Sequence, residues 1–321
     1  MERARAWLER ERGSALRELV PLPGGAGARR YWRASFADGA RAVLMHAVPE
    51  DPAILPPALR AQTAEIPFVE VSAFLARHGL PVPRIHAVDR KQRLVLLEDL
   101  GDTHLLDLPA AERSARLREA IDLLARVHAI EREDALPFQR SFDETWVRFE
   151  LRTFAEHGLE PRWHAALAPE LDALARAIGA LPRVLCLRDY QSQNLMIDAA
   201  GRLRLLDYQD ALLAPAELDL AALVYDSYLE HNDVERAELL ARYWSARAAL
   251  PDPAAFALLV VQRKCKDYGR FRFVTRVKRD ARYLPFIARA RAAVLDSLPR
   301  LPAGQRRLAE ILAEALAEGN A

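Results

Sequence analysis

Residues 187–210 read LRDYQSQNLMIDAAGRLRLLDYQD, and the spacing of Asp189, Asn194 and Asp207 within them decides what kind of chain this is. An Asp-x-x-x-x-Asn run leads into a short apolar segment, Leu195-Met196-Ile197. A turn at 198–201 follows, and a second apolar segment at 203–206 delivers Asp207. Gly201 tolerates a positive φ in that turn, and apolar runs on both sides of it predict a β-hairpin. Asp and Asn favour turns on their own account, so the first half of the pattern says little by itself. A loop carboxylate and amide, followed by a hairpin with a carboxylate at its exit, is far more specific. Phosphoryl transfer asks for this set: Mg²⁺ takes hard oxygen ligands, and a separate carboxylate takes or orients the acceptor proton. On this reading Asp189 is the base, Arg188 positions the loop or the phosphate, and Asn194 and Asp207 are the candidate metal ligands.

The bulk numbers leave room for such an enzyme. A chain of 321 residues with 51% hydrophobic content can bury a large core. A net charge of +1 supplies no electrostatic footprint for nucleic acid or an anionic membrane. Two cysteines, Cys186 and Cys265, cannot make a disulfide framework and fit a reducing, cytoplasmic setting. Cys186 lies in an apolar run and reads as a buried structural thiol. No apolar run reaches membrane-spanning length. Lysine occurs only at Lys91, Lys264, Lys266 and Lys278, so almost all the basic residues are arginine.

Upstream, residues 2–19 show helical periodicity through Trp7, Leu8, Ala15, Leu16 and Leu19. A turn containing Gly24, Gly25 and Gly27 then enters a strand. Glycines there let backbone N–H groups approach phosphates closely. Residues 41–48 form the partner strand. This strand carries Met45 and His46 but no lysine, and Arg29, Arg30 or Arg33 is the candidate to hold phosphate, since guanidinium forks suit it. Pro49, Pro52, Pro56 and Pro57 mark a stiff connector at 49–57. A helix over 68–78 and strands at 80–85 and 93–98 complete the segment. Extended backbone at 97–102 can offer main-chain groups to an adenine edge, which makes Glu98 and Leu100 candidate nucleotide contacts.

Helices are predicted over 110–130, 144–157, 167–181, 220–229, 234–249, 254–268, 279–298 and 305–318. His128 reads as a hydrogen-bonded core residue rather than a catalyst. Asp219 reads as a helix cap or an anchor for the catalytic loop, and Asp226 as a weak candidate for the substrate cleft. The run at 262–271 is the densest basic patch, and Arg263 or Arg270 is the candidate to meet an anionic group of the substrate. Gln209 and Asp210 are further substrate candidates.

CLRDYQSQNLMID with LRLLDYQDA resembles the catalytic loop and metal-binding segment of the aminoglycoside phosphotransferase-like kinases. The likeness is strongest to the anomeric amino-sugar kinases of bacterial cell-wall recycling. Residues 28–33, 97–102 and 262–271 echo the same group, and the likeness spans about 24–287. Leu187 replaces a His and Tyr208 a Phe of that pattern; neither is a metal ligand. The resemblance implies an α+β, bilobal protein-kinase-like fold. It divides into a β-rich N-lobe at 1–98, a hinge at 99–102 and a mostly helical C-lobe at 103–321. It implies a monomeric ATP- and Mg²⁺-dependent kinase that phosphorylates N-acetylmuramate or N-acetylglucosamine at the anomeric hydroxyl. The alternatives are transfer to an aminoglycoside or other amino alcohol, and a nucleotide-binding pseudokinase.

Overall fold

A computed structural model describes residues 2–23, 28–48 and 66–318. The glycine turn with Gly24, Gly25 and Gly27, and the proline connector at 49–57, lie outside the described residues. The chain divides into two compact units, Met1–Thr103 with Met196–Gln209, and His104–Leu195 with Asp210–Ala321. The α+β class expected from the sequence is the observed one.

In the first unit, α1 (Glu2–Arg12) precedes an antiparallel sheet of order β1-β2-β3-β5-β4. Its strands are β1 (Leu16–Leu22), β2 (Arg30–Phe36), β3 (Arg41–His46), β4 (Ile85–Asp89) and β5 (Leu94–Glu98). The single helix expected over 2–19 is not what forms. Gly13 sits at φ +67° and ends α1, and Leu16 pairs with Phe36 in the sheet. The leucines at 16 and 19 suited either period, and the left-handed glycine decides between them. Alternation along β2 sends Trp32, Ala34 and Phe36 into the core with Trp7 and Leu8 of α1, leaving Tyr31 and Arg33 on the other face.

Helix α2 (Pro67–Arg77) and the hairpin of β7 (Leu195–Ile197) and β8 (Leu203–Leu205) belong to the same unit. Gly201 takes φ +75° in the hairpin turn. Tyr208 stacks on Phe68 at 5.2 Å and donates to Ser72 Oγ at 3.1 Å. Arg204 of β8 is buried and reaches Glu98 Oε2 at 2.6 Å, Asp198 Oδ2 at 2.9 Å and the Val82 carbonyl at 2.8 Å.

The second unit is helical apart from a pair of short antiparallel strands, β6 (Val184–Cys186) and β9 (Leu212–Ala214). Its helices are α3 (Ala110–His128), α4 (Glu144–His157), α5 (His164–Gly179), α6 (Glu217–Val224), α7 (Asp233–Arg247), α8 (Pro253–Arg276), α9 (Leu284–Ser297) and α10 (Arg306–Glu318). Helix α8 runs to Arg276 rather than stopping near 268. Gly269 is no helix stop: it lies against the backbone of α4. A Cβ there would lie 2.4 Å from Phe154 Cα and 2.7 Å from its nitrogen. Because that neighbour is backbone, it cannot yield cheaply. Gly269→Ala is therefore expected to cost about 1–3 kcal/mol, seen as a lower melting temperature. An unchanged melting curve would show that α4 and α8 can move apart freely.

No described helix is long and apolar enough to cross a membrane.

Candidate active site

The loop with the Asp-x-x-x-x-Asn run follows β6 in the second unit. Its first turn is held from below by Asp219, a fully buried residue in the first turn of α6. Asp219 accepts from Leu187 N at 2.6 Å and Arg188 N at 2.7 Å. Arg188 takes φ +75°, a conformation that costs a non-glycine residue free energy and persists only where its surroundings impose it. The paired hydrogen bonds from one carboxylate are that imposition. Asp226 accepts from Ser192 N at 2.6 Å, and Tyr190 Oη donates to the Ala120 carbonyl at 2.8 Å. The loop is thus fastened at several points along its length.

His128, Cys186 and Asp219 form a buried cluster behind it. Their groups are already committed: His128 Nδ1 pairs with Tyr243 Oη at 2.6 Å, and Cys186 Sγ donates to the Ala214 and Pro215 carbonyls. Burial, and then the Asp219 charge, push the Cys186 thiol well above its usual range. His128 is the hydrogen-bonded core residue, and Cys186 the buried thiol, that the sequence suggested.

At the loop's centre, the Asp189 carboxylate pairs through Oδ1 with Arg263 Nη2 at 2.8 Å and lies 3.7 Å from Lys266 Nζ. Burial opposes its ionisation, but the charges of Lys266, Arg263 and Arg188 outweigh it and hold the carboxyl far below the ordinary range. Both ion pairs fall on Oδ1, and Oδ2 takes part in neither. Asn194 Nδ2 donates to the Asp189 carbonyl at 2.8 Å. That bond fixes the amide's orientation and leaves Oδ1 as a hard-oxygen donor.

Arg188 is engaged by Glu150 at 3.0 Å, stacks over Trp146 at 4.7 Å, and lies 3.8 Å from Asp210. Arg263, proposed from sequence as an anion contact, is 2% exposed. Its guanidinium serves Asp189, the Arg188 carbonyl at 2.8 Å and Gln191 at 3.2 Å. Arg270 is exposed on α8.

In the first unit Asp207 follows β8 at φ +56°, a second strained non-glycine residue. Its Oδ1 accepts from Arg29 Nη2 at 2.9 Å and Gln209 Nε2 at 3.0 Å. Arg29 also donates to Gln209 Oε1. The structure therefore brings together Arg29, Asp207 and Gln209. Arg33 turns elsewhere, to Asp99 at 3.0 Å, Asp102 at 2.8 Å and the Gly101 carbonyl at 3.0 Å, and Arg30 is exposed on β2. Glu98 is held by Arg204, and Leu100 is buried.

Three residues escaped the sequence reading: Glu150, Lys266 and Asp267. Glu150 receives Gln262 Nε2 at 2.9 Å as well as Arg188. Burial resists its ionisation too, but Lys266, Arg188 and Arg263 lower its carboxyl below the usual range. Asp267 is brought down to about 2, burial being overcome by Lys264, Arg263 and Lys266. A signal was present for each. Glu150 lies at helical spacing between Trp146, Val147 and Phe154, a carboxylate within a core stripe. Arg263, Lys266 and Asp267 share one face of α8.

A protein-kinase-like unit pair with a pinned Asp-x-x-x-x-Asn loop defines a phosphotransferase, and the comparisons agree. The phosphotransferase enzyme family model (APH) matches residues 18–259, and the chain belongs to that family. It is 32% identical to the N-acetylmuramate/N-acetylglucosamine kinase of Pseudomonas aeruginosa, over 85% of this chain and 81% of the relative. It is 33% identical to the kinase of the same name from Neisseria meningitidis, over 92% and 87%. Among solved structures, choline kinase LicA from Streptococcus pneumoniae shares the fold at TM-score 0.64 and 15% identity, covering 92% of this chain and 99% of its own. Spectinomycin phosphotransferase in complex with ADP and its antibiotic does so at TM-score 0.62 and 12% identity, covering 98% of both chains.

Proposed function

We propose that this phosphotransferase moves the γ-phosphate of Mg²⁺-bound ATP to an amino sugar, at the anomeric hydroxyl of N-acetylmuramate or N-acetylglucosamine. The observation that carries the reading is the Asp189 carboxylate, fixed in a pinned loop with Oδ2 open to a hydroxyl. The names of the relatives at 32% and 33% identity supply the acceptor.

The acceptor hydroxyl donates to Asp189 Oδ2, which orients its oxygen for attack. A carboxyl held so far below the usual range is a weak base, and phosphoryl transfer tolerates one because its loose transition state demands little early proton removal. Asp189 then takes the proton as the O–P bond forms. Mg²⁺, when bound, would neutralise charge on the nucleotide phosphates. Asn194 Oδ1 and Asp207 Oδ2 suit it chemically, being hard oxygens that no described hydrogen bond uses. Arg29, beside Asp207, is the candidate to hold phosphate in place of the absent lysine. Arg188 and Glu150 keep the loop in register. A kinase using ATP, with both thiols buried and unpaired, fits the cytoplasm.

Transfer to a cationic amino alcohol is less well supported. Such an acceptor wants free carboxylates, but Asp226 is committed to the Ser192 and Tyr228 amides, and Glu217 is buried in α6.

The test is ADP release from Mg-ATP against N-acetylmuramate, N-acetylglucosamine, an aminoglycoside and choline. Turnover is expected with the two amino sugars and is lost when C1 is blocked as the methyl glycoside. Turnover confined to the aminoglycoside or choline would overturn the acceptor. Tight nucleotide binding without turnover on any of them would identify a pseudokinase.

A further inference from the structure

Three cations surround Asp189, and they differ in what they are free to do. Arg263 has a side chain only 3% exposed, turned inward onto the loop. Arg188 is bonded to Glu150 and stacked on Trp146. Lys266 is different. Its Nζ lies 3.5 Å from Glu150 Oε1 and 3.7 Å from Asp189 Oδ1, beyond hydrogen-bond reach of either, and its side chain is 13% exposed. The ammonium is drawn to this place by two carboxylates, yet no hydrogen bond to a described residue uses its three N–H donors.

Charge considerations say what such a group can do. In the transfer, the acceptor oxygen forms a bond to the γ-phosphorus and the bond from that phosphorus to the β-bridging oxygen breaks. The electron pair leaves on ADP, and the hydroxyl proton passes to Asp189 Oδ2. The phosphoryl group in flight carries its negative charge on three non-bridging oxygens and ends beside Asp189. A compact, mobile ammonium next to that carboxylate is the group able to meet them. The sequence makes this sharper, because lysine is scarce in this chain and β3 carries Met45 and His46 but no lysine.

We propose that Lys266 is a catalytic residue, its ammonium donating to the non-bridging oxygens of the phosphoryl group as that group arrives at the acceptor oxygen. This rests on the reading of Asp189 as the residue that receives the acceptor hydroxyl. The hydroxyl proton goes to Asp189, and Lys266 contributes hydrogen bonds alone.

Lys266→Met, Lys266→Arg and Asp189→Asn are to be compared with the native enzyme in steady-state turnover with Mg-ATP and the amino sugar. Affinity for ADP alone, and for ADP with aluminium fluoride and the sugar, is measured alongside. Lys266→Met is expected to lower kcat about 100-fold, with both KM values and ADP affinity within about three-fold. Affinity for the ADP–aluminium fluoride complex falls by a similar factor, and Lys266→Arg recovers part of both losses. If the Met variant fails to fold, Lys266→Gln carries the comparison. Native kcat in Lys266→Met while Asp189→Asn is inactive overturns the proposal and leaves the base intact. So does a loss of kcat that a pH shift restores while aluminium fluoride affinity is unchanged, since Lys266 then acts only on the charge of Asp189. An active Asp189→Asn overturns the base reading instead.

Discussion

Asp189→Asn is expected to lower kcat by about 10³-fold while leaving nucleotide affinity within a few-fold of native. The substitution preserves shape and removes only the capacity to take a proton and to carry charge. The loop itself stays in place, because its hydrogen bonds run through main chain: Leu187 N and Arg188 N to Asp219, Ser192 N to Asp226, and Asn194 Nδ2 to the Asp189 carbonyl. Arg263 also keeps the Arg188 carbonyl and Gln191. A loss confined to kcat thus reports chemistry rather than collapse. Equal turnover in the variant would remove Asp189 from the reaction, and weakened nucleotide binding of the same size would make it a ground-state contact.

Asp219→Ala is expected to produce the largest fall in stability. The carboxylate is fully buried and satisfies two backbone donors at once, one of them on the strained Arg188. Each orphaned buried donor costs about 1–3 kcal/mol, so the total is about 4 kcal/mol. For a chain of this size that corresponds to a melting temperature lower by about 6 °C. Turnover falls as well, because Arg188 loses what holds it left-handed. A shift below 1 °C would mean that water or His128 replaces the lost acceptors. Comparing this variant with Asp189→Asn separates support from chemistry: in the first kcat falls together with the loss of the main-chain hydrogen bonds to Asp219, whereas in the second those bonds remain.

How far these features could be read from sequence depends on whether local chemistry or distant packing sets them. Helix α4 was legible to its ends. Asp143 caps it by accepting from Trp146 N at 3.1 Å, Gly158 follows its last residue, and its core stripe keeps the helical period throughout. The hairpin after the Asp-x-x-x-x-Asn run was legible because apolar runs flank a turn whose Gly201 takes φ +75°. The boundary between α1 and β1 was not, since Leu16 and Leu19 satisfy a helix and a strand alike until Gly13 turns left-handed. Arg33 could not be placed from sequence either. A strand arginine faces phosphate or protein acids with equal ease, and its partners Asp99 and Asp102 lie far along the chain. Lys266 was hidden in a basic run whose helical face only packing reveals, and Arg263 was read as a substrate contact because sequence does not show that it is buried beneath the loop.

The passage of the chain through its two units has a practical bearing on how the protein can be dissected. The sheet-bearing unit takes its hairpin from residues 196–209, so an N-terminal fragment ending near Thr103 is an incomplete object. Cutting there strips Glu98 and Val82 of Arg204, and Ser72 of Tyr208, exposing apolar α2 surface at Phe68 that invites aggregation. Excision by truncation therefore fails by construction. A circularly permuted or loop-fused chain that carries the hairpin along is the form in which this unit can be isolated.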